Sequence, residues 1–298
     1  MWIKDGDYFI ILIPAGFASK STNSGKNYLV VPYKILCYLA CSLQSYDSMM
    51  RTYTLILLLL VSSLLVKAQT INTTWLAGFT TTKINKKFSI HFDAQWRSGD
   101  QYSTMSTLLL RPGLNYHLND RLVLTAGYGY ITNRRSFFLT GPADEPVNVT
   151  GYLPEHRLWQ QALYTHPIIG KNTITHRLRL EQRFLMQPSI ENYNLSADGN
   201  TYANRVRYFF RTVIPVKQEF PFKKGLFAGL QNEVMFNFGD KTPVNGKIFD
   251  QNRLLLSAGY RIQPKIDVEL GYLNQHVKGR ADAFVNNHVI QLAAYTRF

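Results

Sequence analysis

NTITHRLRLEQRF, residues 172–184, alternates side chain by side chain. Ile174, Leu178, Leu180 and Phe184 fall on one face, joined by His176 and Gln182; Thr173, Thr175, Arg177, Arg179, Glu181 and Arg183 fall on the other. Successive side chains of a strand point to opposite faces. A period of two over this length therefore reads as a β-strand with one apolar and one charged face.

The same alternation recurs on both sides of this stretch. In 204–214, Val206, Tyr208, Phe210 and Ile214 oppose Arg205, Arg207 and Arg211; in 88–97, Phe88, Ile90, Phe92, Ala94 and Trp96 oppose Ser89, His91, Asp93, Gln95 and Arg97. Segments 106–116, 226–238 and 266–272 repeat it, with Arg111, Glu233, Asp267 and Glu269 on their polar faces, and the chain closes on Ile290, Leu292, Ala294 and Phe298 opposite Gln291, Tyr295 and Arg297. Segments 121–131 and 250–261 carry more apolar residues on both faces, 155–166 is ambiguous about which face is which, and leaving 72–82 partly outside the wall gives ten strands. No stretch after Gln69 reads as a long amphipathic helix.

Short links near 83–86, 118–120, 167–171 and 262–264, and a longer one at 216–224, alternate with long links near 98–104, 134–153, 186–200, 238–247 and 277–286. Strands of about ten residues with short turns on one side and long loops on the other are the pattern of a transmembrane β-barrel. Closure also pairs every backbone N–H and C=O, as a lipid environment demands. The fold class expected is all-β, an antiparallel transmembrane barrel of 10–12 strands. Eleven segments can be counted, and because bacterial barrels have even strand numbers twelve is favoured. A soluble half-buried sheet would alternate too. Aromatics near segment ends (Trp75, Trp96, Tyr102, Tyr116, Tyr130, Tyr152, Tyr164, Tyr295) read as interfacial girdles, and a last segment ending on Phe298 resembles the C-terminal signal read by outer-membrane assembly machinery.

Upstream, RTYTLILLLLVSSLLVKAQ (51–69) has a basic start, an apolar run from Leu55 to Val66 and a Val66-Lys67-Ala68 triplet before Gln69. This is the grammar of a secretory signal peptide. The expected organisation is an upstream extension of a misplaced start at 1–49, a signal peptide at 50–68 with Met49 or Met50 as its true start, and a barrel domain at 69–298. A genuine N-terminal domain followed by a span at 53–66 is the other reading, although that run is shorter than the roughly 20 residues a helical span needs. Both cysteines, Cys37 and Cys41, lie upstream of the expected cut. An exported chain without cysteine must rely on a large core or a membrane rather than on disulfides. The whole chain carries a formal charge of +14. Export makes nucleic acid the least fitting of the anionic partners such a balance suggests; outer-membrane lipid and a small anionic solute remain, with the cell outer membrane the expected location.

KINKKFSIHFDAQWRSGD (83–100), LLLRPGLNYHLNDRLVLTAGYGY (108–130) and PEHRLWQQ (154–161) together resemble a family of uncharacterised proteins found mainly in Bacteroidetes, domain of unknown function 2490. The resemblance covers about 72–298 and implies an exported outer-membrane barrel. It brings no established catalytic or binding residues. The recurring positions it suggests are Trp75, Gln95, Arg97, Arg111, Gly113, Tyr128, Glu155, Arg157 and Gln161.

With the apolar faces outward, the lumen receives Arg97, Arg111, Arg157, Arg177, Arg179, Arg183, Arg205, Arg207, Arg211, Arg253, Arg261 and Arg297, with Asp93, Glu155, Glu181, Glu233, Asp267 and Glu269. Asp267 and Glu269 are expected near a rim. Arginine is always charged, and an unpaired buried charge is costly, so these groups must meet carboxylates, water or an anion. Two readings stay open: a narrow porin-like channel preferring small acidic solutes, or a lumen plugged by ion pairs in a structural or surface-interaction barrel. A lipid-modifying enzyme is a third. The chain has no GxSxG, HExxH, clustered cysteines or P-loop, and its histidines are scattered, so neither catalysis nor a metal or cofactor is expected.

Overall fold

The computed structural model describes residues 3–5, 8–12, 28–32, 69–99, 104–142, 144–168, 172–217, 221–281 and 283–298. The chain divides into two compact units, Met1–Lys67 and Ala68–Phe298. In the first, β1 (Ile3–Asp5), β2 (Tyr8–Leu12) and β3 (Tyr28–Pro32) form a small antiparallel sheet in that order. The signal peptide expected at 50–68, and Cys37 and Cys41, lie outside the described residues.

The second unit is a closed barrel. Its strands are β4 (Gln69–Lys83), β5 (Phe88–Ser98), β6 (Met105–His117), β7 (Leu122–Thr140), β8 (Pro146–Pro167), β9 (Thr173–Glu191), β10 (Asn194–Pro215), β11 (Gly225–Phe238), β12 (Phe249–Gln263), β13 (Ile266–Lys278) and β14 (Phe284–Arg297). Each pairs antiparallel with its sequence neighbours, and β14 closes the wall against β4. The described residues contain no helix.

The preference for twelve strands is corrected: the barrel has eleven. An odd number of up-and-down strands can close only through one parallel pair, and β14 and β4 supply it, from Val285↔Gln69 to Arg297↔Thr81. The Thr-rich segment 72–82, which a count of ten leaves partly outside, is thus a full wall strand. As a consequence Gln69 lies at the end of the long connections and Phe298 at the end of the short ones. The seam finishes with the Phe298 N–H donating to Thr81 O at 2.8 Å and the Lys83 N–H to Phe298 O at 2.7 Å.

Local chemistry explains the tight turns. Asn85 Oδ1 accepts from the N–H groups of Lys87 and Phe88 at 2.8 and 2.9 Å, and Asn119 Oδ1 accepts from Arg121 and Leu122, both at 2.9 Å. Asparagine makes this side-chain copy of a backbone turn readily.

At the opposite end, two expected loops are strand instead. β7 and β8 stay paired from Arg134↔Tyr152 to Thr140↔Pro146, past Asn133↔Thr107, the last rung that β7 shares with β6. β9 and β10 likewise continue beyond Glu155↔Leu185 to Glu191↔Asn194. At about 3.4 Å per residue the first hairpin projects roughly 20 Å. The second turns through Asn192 and Tyr193, whose φ values of 48° and 59° are those of a two-residue hairpin loop. Most of 134–153 and 186–200 is therefore paired ribbon rather than irregular chain, with Val149 and Leu153 buried in the first hairpin.

The wall is inverted relative to an ordinary core. Leu76, Ile90, Leu114, Leu158, Leu178, Leu256, Leu270 and Ile290 point outward and are exposed, while the charged faces point inward and are buried. Two expected girdle aromatics are corrected by the register: Trp75 and Tyr295 point into the lumen, where Trp75 packs with Leu255, Leu273 and Val289 and Tyr295 stacks on Phe79 at 4.8 Å. Tyr102 lies outside the described residues; Tyr116, Tyr130, Tyr152 and Tyr164 are exposed on the outer face.

Candidate functional site

The lumen brings the predicted charges together. Glu181 and Arg205 are register partners on β9 and β10. Glu181 Oε2 accepts from Arg205 Nη2 at 2.6 Å and Nε at 2.9 Å, and Oε1 accepts from Arg207 Nη1 at 2.5 Å. Three more guanidiniums surround the same carboxylate, those of Arg157 at 3.8 Å and of Arg111 and Arg179 at 3.9 Å. Glu155 is clamped between Arg157 and Arg183, each Nε at 2.6 Å. Glu233 accepts from Arg177 at 2.7 Å and Arg207 at 2.8 Å, with Arg253 farther off at 3.8 Å.

Smaller sets continue toward the short turns. Asp93 pairs with Arg111 and accepts from Gln95 Nε2 at 3.0 Å. Glu269 pairs with Arg211 and accepts from Ser257 Oγ at 3.0 Å. Asp267 holds both Arg261 and Arg297 at 2.7 Å. Arg297 is the most exposed of the paired arginines, with 47% of its side chain accessible. Glu269, two residues along β13, is as fully buried as Asp267, at 2% and 3% exposure.

Neutral groups fill the gaps. Asn115 Nδ2 donates to Ser89 Oγ, Thr125 Oγ1 to Asn115 Oδ1, Gln161 Nε2 to Thr125 Oγ1 and Arg179 Nε to Gln161 Oε1, at 3.0, 2.7, 3.1 and 3.0 Å. Arg179 also lies 4.5 Å above Trp159, and Arg177 lies 4.2 Å above Phe209. Trp159 is seated where the wall is thin. A Cβ on Gly127 would come within 2.4 Å of its Cζ2 and 2.5 Å of Pro112 O, and one on Gly113 within 2.6 Å of its Cη2. Glycine is required at both positions to admit the indole.

All twelve predicted arginines and all six predicted carboxylates face the lumen. Asp250 was missed. Strict alternation along β12 would turn it outward, but a register shift opposite Met235 and Phe236 leaves it as an extra residue, and its Oδ2 accepts from Arg205 Nη1 at 2.8 Å. A β-bulge re-aims a side chain in this way and leaves no period-two signal to find.

Above this packed section, toward the long connections, is a cavity of about 880 Å³. Ten cationic side chains line it, among them Arg97, Arg135, Arg253 and Arg280, against two carboxylates, Glu155 and Asp250. Arg97 lies 3.9 Å and Arg253 5.1 Å from the same Trp75 ring. Among the described residues no three His, Cys, Asp or Glu side chains assemble into a metal-holding group. His176, on the outer face, meets His166 Nε2 at 3.2 Å and the Tyr208 hydroxyl at 2.8 Å.

A similar protein is an uncharacterized protein of Methylorubrum extorquens, 25% identical over 206 residues that span 69% of this chain and 79% of that one. A family model described as "Protein of unknown function (DUF2490)" matches residues 72–286, which takes in β5 to β13 whole, most of β4 and the first residues of β14, and all of the lumen arginines except Arg297. The chain therefore belongs to the DUF2490 family, and its barrel with an arginine–carboxylate interior is the structural content of that match.

Proposed function

We propose that residues 69–298 form an outer-membrane β-barrel whose lumen is closed at mid-height by the arginine–carboxylate network, making it a surface-interaction or structural barrel rather than a conducting pore. The observation that carries this reading is the burial of the network. Glu181 has 0%, Arg179 1% and Asp93 1% of their surface accessible. The lining of a wet channel would be exposed to water, whereas these charges are packed against one another.

Insertion in lipid is supported by the outward aliphatic belt and by the way outward polar groups are paired off. Gln160 and Gln182 exchange hydrogen bonds at 3.1 and 3.2 Å, Asn232 and Asn252 do so at 3.2 Å in both directions, and His156 and His288 pair with Tyr128 and Tyr272. Facing water, such groups would need no partner; facing hydrocarbon, each unsatisfied one is costly.

Planar-bilayer recording tests the closed lumen. The purified barrel, shown to be folded by heat-modifiable gel migration, is expected to give no steady conductance. A stable, anion-selective conductance from the wild-type chain would favour the narrow acidic-solute channel instead, the reading that the cationic cavity supports.

A further inference from the structure

We propose that the cavity above the ionic plug is a binding cup for a small, multiply charged oxyanion, a solute carrying two or more carboxylate or phosphate groups. The proposal does not depend on whether the lumen conducts.

The cup has the volume of a ligand site, since pockets for small molecules run from about 300 to 1,000 Å³, and it measures about 880 Å³. Its charge is one-sided. The cations of its floor, Arg111, Arg157, Arg205 and Arg207, are engaged by Asp93, Glu155, Glu181 and Glu233. Its side wall is not balanced in this way. Arg97 has no carboxylate within ion-pair distance among the described residues; its Nη2 donates to the neutral Gln95 Oε1 at 2.6 Å, and its Nε is buried without a hydrogen-bond partner. Arg253 donates to the neutral Gln251 Oε1 at 3.2 Å, and its nearest carboxylate, 3.8 Å away on Glu233, already serves two other arginines. Both guanidiniums are held against one face-presenting partner, the Trp75 ring, which fixes them without neutralising them.

Two like charges ordered side by side in a half-enclosed polar cavity are unfavourable unless an anion completes them. A guanidinium presents paired donors that match carboxylate or phosphate oxygens two at a time. Farther out, Arg135 and Arg280 are exposed at the cavity wall and extend the positive field outward, where it would gather an anion into the cup. The carboxamides of Gln251, Gln275 and Asn287 share the wall, offering neutral donors and acceptors to hydroxyl groups on the same ligand.

The test is isothermal titration of the full chain, folded in detergent, with trigalacturonate, citrate and inorganic phosphate, and with maltotriose as the neutral control. At least one of the three anions is expected to bind at a single site more tightly than chloride, and maltotriose is not. The anion that binds best separates carboxylate from phosphate ligands. R97Q/R253Q is expected to weaken that binding about tenfold or more, equivalent to roughly 1.4 kcal/mol. R135Q/R280Q, which alters only exposed side chains and so retains the fold, is expected to weaken it about threefold through loss of the field. If no anion binds better than chloride, or if the rim pair leaves binding unchanged and a folded R97Q/R253Q does the same, the cup is not an oxyanion site.

Discussion

Arg205 and Glu181 stand directly opposite each other on neighbouring strands, and two nitrogens of the arginine, Nη2 and Nε, donate to one carboxylate oxygen at 2.6 and 2.9 Å. Neither reaches water to any extent, with Glu181 at 0% and Arg205 at 4% exposure. A pair so placed is stable only because other groups satisfy the remaining valences: Arg207 on the second Glu181 oxygen, Asp250 on the far side of Arg205. Charge burial here is cooperative, and each member protects the next from desolvation.

Removing the hub should therefore cost more than removing a peripheral member. Glu181→Ala leaves several buried guanidiniums short of a partner, for which about 3–5 kcal/mol is expected. Arg297→Gln breaks a pair whose arginine side chain is 47% exposed and should cost no more than about 1 kcal/mol. Urea unfolding of the detergent-folded barrel measures both. Equal costs would mean that the network is not what holds the lumen together.

Taking out the hub and its two closest partners together should open the barrel. E181A/R205A/R207A removes three of the side chains that fill mid-lumen and is expected to give single-channel events where the wild type is silent. A folded triple variant that stays silent would place the closure elsewhere.

The seat of Trp159 gives a steric prediction. At Gly127 a methyl group would meet the indole at 2.4 Å and a carbonyl oxygen at 2.5 Å, and neither the wall nor the ring can give that much. Gly127→Ala is expected to destabilise by about 1–3 kcal/mol, seen as a lower midpoint in urea and a blue- or red-shifted tryptophan emission. Unchanged stability and emission would show that the ring is not confined there.

The reciprocal amide pair on the outer wall separates lipid from water. Facing lipid, Gln160→Leu strands the Gln182 amide and should cost about 1–3 kcal/mol, whereas Q160L/Q182L should be near neutral or stabilising. Facing water, the stranded amide would simply hydrate. A single variant as stable as wild type in a bilayer or detergent would count against lipid exposure of this face.

Orientation can be read by labelling. Phe138 on the projecting β7–β8 hairpin is 78% exposed, and Ile84 in a short turn at the other end is 57% exposed. With the long connections outside the cell, Phe138→Cys should react with a membrane-impermeant maleimide on intact cells and Ile84→Cys only after lysis. Reaction at Ile84→Cys alone would invert the barrel.

Alternation is a property of consecutive residues, so the barrel and its arginine-rich interior were legible in stretches such as 172–184 without any knowledge of neighbours. The same rule placed all twelve arginines and six carboxylates on the correct side. It failed where the chain departs from strict period two. The bulge at Asp250 concealed a partner of Arg205, and the Gly, Asn, Asp, Ser and Pro content of 134–153 and 186–200 concealed paired ribbon, although Phe137, Leu139, Val147 and Val149 share one face of the first hairpin. Trp75 and Tyr295 show the limit of another signal: a ring near a strand end suggests an interface by composition, whereas the alternation of the last segment already sets Tyr295 on the face of Gln291 and Arg297.

Strand number and ion pairing are of another kind. Whether 72–82 belongs to the wall depends on whether β14 finds it across a parallel seam, a contact between residues more than two hundred apart in sequence. Which of twelve arginines meets which carboxylate depends on the stagger of eleven strands around the axis. That stagger gives Glu181 five guanidiniums and Arg97 no carboxylate among the described residues. Local periodicity decides the side of the wall on which a side chain falls; closure decides its height and its neighbours, because hydrogen-bond register is set strand against strand and only the completed ring brings distant strands to one level.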